Sequence, residues 1–316
     1  MHLLFVALVL AFSFPAAAQD FPPRTLRIVV PFTPAGPVDV LGRVLAERLG
    51  ARWKAGAIVE NRPGAGTVIG TEVVAKAAPD GTTLLLAVTS HAVNATLVEK
   101  LPFDPVKDFA PVVLAATAQN ILAVPAASSA RTVADLIALA RSKPGRLNAG
   151  SPGKGTTLHL AAEMLKSAAG IDFATVHYKG AQPAMQALLA GEVDFMFDAG
   201  TVVPQVQAGK LRALAVTGPK RSPFLPEAPT MVESGLATFE VVSWYGLLAP
   251  AGTPRAAVDQ INRAVNEALA EPEVRARLGR INLEPAGGTP EDLDRLVREQ
   301  IARWGKVIRD AGVRAE

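Results

Sequence analysis

The stretch LRIVVPFTPAGPVD, Leu26 to Asp39, constrains the fold more than any other part of the chain. Leu26 to Val30 reads as a short buried strand, Pro31 to Pro37 is a turn holding three prolines and a glycine, and a helix is expected from Asp39 onward. A strand thus delivers a loop to a helix N-terminus, where unpaired N–H groups and a partial positive charge hold an anion without any cationic side chain. The design recurs. Asn148 to Thr157, NAGSPGKGTT, is again a strand end that runs into a Gly/Pro/Thr loop, with a helix expected over Leu158 to Ala168.

Between and after these two units the pattern keeps alternating. Leu41, Val44, Leu45 and Leu49 give Val40 to Trp53 one apolar helical face. A strand at Ala57 to Glu60, a turn at Asn61 to Gly66, a helix at Gly70 to Ala77 and a strand at Thr82 to Val88 follow, the last ending near Ser90, His91 and Asn94. Pro102 to Pro111 reads as loop and precedes strands at Val112 to Ala116 and Ile121 to Val124. Thr132 and Asp135 form a capping box, and Pro144-Gly145 ends that helix. Strands are expected at Ala174 to Tyr178, Val193 to Phe197, Leu211 to Val216 and Val241 to Ala249, with a helix at Pro183 to Leu189 and a proline-rich loop at Ser222 to Pro229. Thr253-Pro254 and Thr289-Pro290 start two closing helices, the last with a stripe of Leu293, Leu296, Val297, Ile301, Trp304, Val307 and Ile308.

Such alternation implies parallel sheets covered by helices on both faces, with ligands bound at the carboxyl ends of the strands. The loops Phe32 to Pro37, Ser90 to Asn94, Ser151 to Thr157, Tyr178 to Gly180 and Asp198 to Thr201 lie there. They come from two halves of the chain, so a cleft between two domains is expected. A chain of 316 residues with 49% hydrophobic content is long enough for two cores.

Composition removes several classes of function. The chain has no cysteine, which excludes disulfides, thiolate catalysis, Cys-based zinc sites and a lipidated cysteine. Its net charge of +3 comes from scattered Lys and Arg, and aromatic content is only 5%, so no basic stripe suits a nucleic acid. Residues 1–18 read as a signal peptide, with an apolar run and Ala16 and Ala18 in an A-x-A arrangement ahead of cleavage near Gln19. Only His2 precedes that run, which leaves open an upstream start or an uncleaved anchor. The expected location is the bacterial periplasm.

Motifs for catalysis fail on spacing. GSPGKGTT at Gly150 to Thr157 puts Lys154 and the hydroxyls out of register for a P-loop, and no GxSxG surrounds Ser90 or Ser151. His91, His159 and His177 lack metal-ligand spacing; His159 is assigned local packing, and His91 is kept as a candidate to face the ligand. No catalytic residue, metal or cofactor is expected. Asp198 ends a very apolar strand, and a carboxylate there needs donors: either it caps the next segment or it meets the ligand in the cleft.

Taken in order and spacing, RIVVPFTPAGPVD, ENRPGAG with Gly70, Pro79-Asp80-Gly81, LPFDPVKDFAPV, SPGKGTTLHLAAE, YKGAQPA, FMFD, GKLRALAVTGPKRSP with PEAPT, and WYGLLAPAGTP resemble one family. It is that of the periplasmic solute-binding receptors of tripartite tricarboxylate transporters, the Bug-type or TctC-like proteins, and the resemblance covers almost the whole mature chain. It implies an α/β two-domain periplasmic binding protein of type II, a Venus flytrap with parallel-rich sheets flanked by helices and two interdomain crossings, near Asn120 and Val242. Residues 20–120 with 243–316 would form domain I and residues 121–242 domain II. The resemblance further implies that Phe32 walls the pocket, that Thr33, Ala35 and Gly36 together with Ser151, Gly155 and Thr156 close on ligand carboxylates, and that Asn94, Tyr178 and Asp198 read the rest. Ala35 and Val38 depart from the family's GGPTD-type loop; Ala35 is expected at an ordinary backbone angle, and Val38 removes a hydroxyl. Ala149 stands where a tyrosine is common, and Lys154 is unusual in its loop.

The function implied is a non-enzymatic receptor, expected to act as a monomer, that passes a small carboxylate to integral membrane permease subunits. The alternative is a sensor that signals through a membrane protein without transport.

Overall fold

The computed structural model describes residues 22, 24–53 and 55–313, so the expected signal peptide and its cleavage site lie outside the described residues. Among the described residues eleven strands form two sheets. The six-stranded sheet contains β1 (Leu26–Val30), β2 (Ala57–Asn61), β3 (Thr83–Val88), β4 (Phe109–Gln119), β10 (Val242–Pro250) and β11 (Glu284–Pro285), in the order β11-β4-β10-β3-β1-β2. The five-stranded sheet contains β5 (Ile121–Pro125), β6 (Asn148–Ser151), β7 (Ala174–His177), β8 (Phe195–Asp198) and β9 (Leu211–Val216), in the order β7-β6-β8-β5-β9. Helices α1 (Pro37–Arg52), α2 (Val68–Ala75), α3 (Ser90–Leu97), α8 (Arg255–Ala270), α9 (Pro272–Gly279) and α10 (Pro290–Ala311) accompany the first sheet; α4 (Val133–Ser142), α5 (Thr157–Ala169), α6 (Ala181–Ala190) and α7 (Val203–Gln207) accompany the second.

Local sequence explains these elements. β3, TLLLAV, is buried along nearly its whole length, as expected of a strand covered on both faces. In β1, Leu26, Ile28 and Val30 enter the core under α1 and α8, while Val29 enters the opposite core under α3 and α10. The capping boxes of α4 (Thr132, Asp135) and α10 (Thr289, Asp292) both form. Leu293, Val297, Trp304 and Ile308 of α10 are buried, with Leu296, Ile301 and Val307 packed beside them.

The sheets are mixed, which corrects the expectation of parallel ones and has a topological reason. β1, β2 and β3 pair in parallel, but β10 is antiparallel to both β3 and β4. β6, β7 and β8 pair in parallel, but β5 is antiparallel to β8 and β9. β10 and β5 are the strands by which the chain enters each sheet from the other one. They start at the seam and run away from it, whereas their parallel neighbours run toward it. The carboxyl ends of β1, β3, β4, β6, β8 and β9 therefore meet at one seam.

Three segments are stitched together at that seam. Asn120, between β4 and β5, is fully buried. Its backbone N–H donates to Thr217 Oγ1 (2.9 Å), its Nδ2 donates to the Val241 carbonyl (3.3 Å), and its Oδ1 accepts from Ser243 Oγ (3.2 Å). Thr217 follows β9 and donates its hydroxyl to the Val241 carbonyl (2.5 Å). Buried polar groups of this kind are tolerated only when paired, so the crossing points are fixed to one another.

A candidate ligand site at the seam

The loop between β1 and α1 is shaped by Asp39, a residue the sequence placed only at a helix start. Asp39 is 2% exposed and accepts from the Ala35 N–H (3.0 Å), Arg43 Nε (2.8 Å) and Asn61 Nδ2 (2.9 Å). Burial pushes its pKa up, but hydrogen bonds from Arg43, Ala35 and Asn61 outweigh burial and hold the carboxyl below its ordinary value. Asn61 also donates to the Phe32 carbonyl (3.1 Å), so one buried pair holds both ends of the turn. The turn places Ala35 at φ +70°, in the left-handed region, which corrects the expectation of an ordinary angle there. Thr33 and Ala35 are exposed, and Phe32 and Gly36 are half-buried. Pro37 opens α1 without an N–H and the Ala35 N–H is bonded to Asp39, while the first-turn N–H groups of Val38 and Asp39 are unpaired among the described residues.

The loop between β6 and α5 is shaped in the same manner by His159. Thr156 caps α5 by accepting from the His159 N–H (3.2 Å), and its hydroxyl donates to the Gly153 carbonyl (2.8 Å). Ser151, fully buried, donates to the same carbonyl (3.0 Å). His159 Nδ1 accepts from the Gly155 N–H (3.0 Å), so its proton sits on Nε2, 3.8 Å from Glu163 Oε1. Burial first, then the charges of His177, Lys154 and Lys166, lower its pKa to about 4, so the ring is neutral. The N–H groups of Thr157 and Leu158 remain unpaired among the described residues. Gly155, at φ +73°, packs against Leu97 of α3, where any β-carbon would lie 2.2 Å from Leu97 Cδ2.

The other sequence candidates are held by the protein's own groups or packed in its cores. Ser90 to Asn94 is not a loop but the first turns of α3. His91 lies in the core: it is 2% exposed, rings of Phe103 and Phe109 flank it, and Nε2 donates to the Pro105 carbonyl (2.8 Å). Burial lowers its pKa to about 4 against that hydrogen bond. Asn94 is buried and donates to the Gly66 carbonyl (2.8 Å) and Thr67 Oγ1 (3.3 Å), pinning the turn ahead of α2. Asp198 takes the capping role. Its carboxylate, 1% exposed, accepts from the N–H groups of Gly200 (2.7 Å) and Val202 (2.9 Å) and from Thr201 Oγ1 (2.7 Å). Tyr178 is half-buried on the α6 core, its N–H donating to the Ser151 carbonyl (2.8 Å).

On the other side of the seam, Asn282 Nδ2 donates to the Ala199 carbonyl (3.2 Å) and fills the space where Gly200 lacks a side chain. A cavity of about 760 Å³ opens beside this contact, walled by Pro37, Thr201, Val203, Arg280 and Leu283 among others. Phe32, Ser151, Thr156 and Tyr178 are not in its wall.

Residues 41–313 match the model of the tripartite tricarboxylate transporter family receptor. The chain belongs to this family. Protein BugT of Bordetella pertussis strain Tohama I is 33% identical over 303 residues, covering 95% of this chain and 93% of BugT. The structure of Rpa4515 of R. palustris with adipate superposes with a TM-score of 0.85 at 37% identity, covering 93% of this chain and 99% of that one. That of MatC (Rpa3494) from Rhodopseudomonas palustris with bound malate gives 0.80 at 34% identity, covering 91% and 100%. The receptor thus has the two-lobed, type II architecture of these periplasmic binding proteins.

Proposed function

We propose that this receptor captures a small carboxylate at the seam, in the periplasm, and hands it to integral membrane permease subunits without chemically altering it. What supports this reading is that two helix N-termini, α1 of one sheet and α5 of the other, each carry first-turn N–H groups unpaired among the described residues at the carboxyl ends of their own strands. Each contributes about 0.3–1 kcal/mol toward an anion when exposed, and up to about 2 when partly buried. The relatives that hold adipate and malate support an acid as the ligand. We further take residues 20–120 with 243–316 as one closing lobe and 121–242 as the other, the split that the two sheets favour.

A thermal-shift screen tests the reading. The purified chain, unfolded and refolded to strip carried-over ligand, is heated with C4 to C9 mono-, di- and tricarboxylates, acidic amino acids and aromatic acids. An acid at about a hundred times its Kd is expected to stabilise by roughly 2.7 kcal/mol, a shift on the order of 5 °C. No shift with any acid would remove the carboxylate assignment.

A further inference from the structure

Tyr245 lies on β10 near the seam, its side chain packed in the core under α1 and α8, and has no part in the shaping of either loop. It lies on β10 opposite Val88, the last residue of β3, and opposite Ala116, four residues before the crossing at Asn120. Asp198 lies just beyond the same crossing, opposite Ile121. The two side chains therefore flank Asn120 from the two sheets. A β-bulge follows Tyr245, where Gly246 pairs with Leu114 and Ala115 is skipped; bulges of this kind re-aim side chains beside binding sites.

The residue is 7% exposed, and its hydroxyl makes no hydrogen bond among the described residues. Nor does that oxygen belong to the side-chain atoms sealed from solvent without a partner, which are those of Arg48, His91, Gln119 and Trp244, so it keeps a solvent-facing surface. Burial, and then the carboxylate of Asp198, push the phenol up to about 12, which keeps it a neutral donor. With no protein partner and a solvent-facing surface, the hydroxyl is free to donate to water or to a ligand oxygen that displaces that water.

We propose that the Tyr245 hydroxyl reads the hinge-side end of the bound acid, donating a hydrogen bond to a carboxylate or hydroxyl oxygen of the ligand. This rests on the carboxylate-receptor reading, and it makes Tyr245 a specificity residue for acids that carry an oxygen at that end.

The chain has two tyrosines, Tyr178 and Tyr245, so ¹³Cζ-tyrosine labelling gives two resonances that Tyr178→Phe assigns. Wild type, Tyr178→Phe and Tyr245→Phe are titrated with succinate, malate, glutarate, adipate and citrate. With the acid that stabilises the wild type most, the Tyr245 resonance is expected to move, and Tyr245→Phe is expected to bind at least about tenfold more weakly with its ligand-free melting temperature nearly unchanged. An unmoved Tyr245 resonance at saturation, or affinity kept within about twofold in Tyr245→Phe, overturns the assignment; the resonance decides even if the variant folds poorly. Absence of stabilisation of the wild type by all five acids would strike the carboxylate reading itself and the Tyr245 role with it, an outcome distinct from the first two.

Discussion

Ala35 at φ +70° carries a backbone angle that a β-carbon disfavours by about 1–2 kcal/mol. Asp39 holds it there through the Ala35 N–H. Ala35→Gly is therefore expected to stabilise the fold by about 0.5–1 kcal/mol, after allowance for the freedom glycine gains in the unfolded chain. Urea unfolding checks it, and a destabilised glycine variant would mean that the angle is not strained. Acid acts on His91 and His159, both held at about 4 against an ordinary 6.5. Below pH 6.5 the unfolded chain takes up protons that the folded chain refuses until about pH 4. Their stabilisation is thus complete above 6.5 and is lost as the pH falls toward 4, by up to about 1.4 kcal/mol per pH unit for each ring. Asp198 has the opposite sign, since burial raises its pKa: its contribution is present below the ordinary carboxylate range and is lost as the pH rises through the raised value. His159→Asn keeps an acceptor at the Nδ1 position and removes the titration. It is expected to flatten the loss of stability between pH 7 and pH 4.5, and denaturation curves parallel to wild type at both pH values would refute this.

At the scale of elements, the loops that lead into α1 and α5 were legible because proline, glycine and threonine each constrain the backbone in a way the sequence displays. Pro37 at the start of α1 and Thr156 at the cap of α5 are such signals. What holds those loops was not legible. Asp39 acts through Asn61, 22 residues away, and the role of His159 depends on the backbone angle at Gly155. α3 was hidden because SHAVNATL is short and carries little apolar periodicity; it forms against β3, with Thr89 Oγ1 accepting from the Trp244 N–H (3.0 Å). The reversed direction of β5 and β10 is equally a long-range property, set by where the chain re-enters each sheet. Swapping the His159 ring separates its two roles. His159→Leu leaves the Gly155 N–H without its buried acceptor and is expected to weaken acid binding by about tenfold, whereas His159→Asn is expected to retain most of it. Equal losses in both variants, measured by calorimetric titration, would mean that the ring's bulk and not its acceptor sets the loop.

For the whole molecule, the proposed function requires the two sheets to close on a ligand, and the contacts between them would govern that closure. Among the described residues a glycine faces the other side at several places, Gly155 against Leu97 and Gly200 against Asn282 among them. A β-carbon on Gly200 would lie 2.3 Å from Asn282 Nδ2 and 2.4 Å from its Cβ, so Gly200→Ala should wedge the lobes apart. If the acid binds the closed form, its apparent affinity falls by the same factor as the closed population. Gly200 also has φ +116°, so alanine there strains its own backbone as well. A second substitution distinguishes the two effects. Asn282→Gly clears the opposite face of the contact while leaving the strain at residue 200 untouched. Gly200→Ala is expected to lose at least about tenfold in acid affinity and to fail to compact on acid addition in small-angle scattering. The double variant is expected to recover most of both. Recovery of neither would place the fault in the local backbone of Gly200, and closure would then not be governed by this contact.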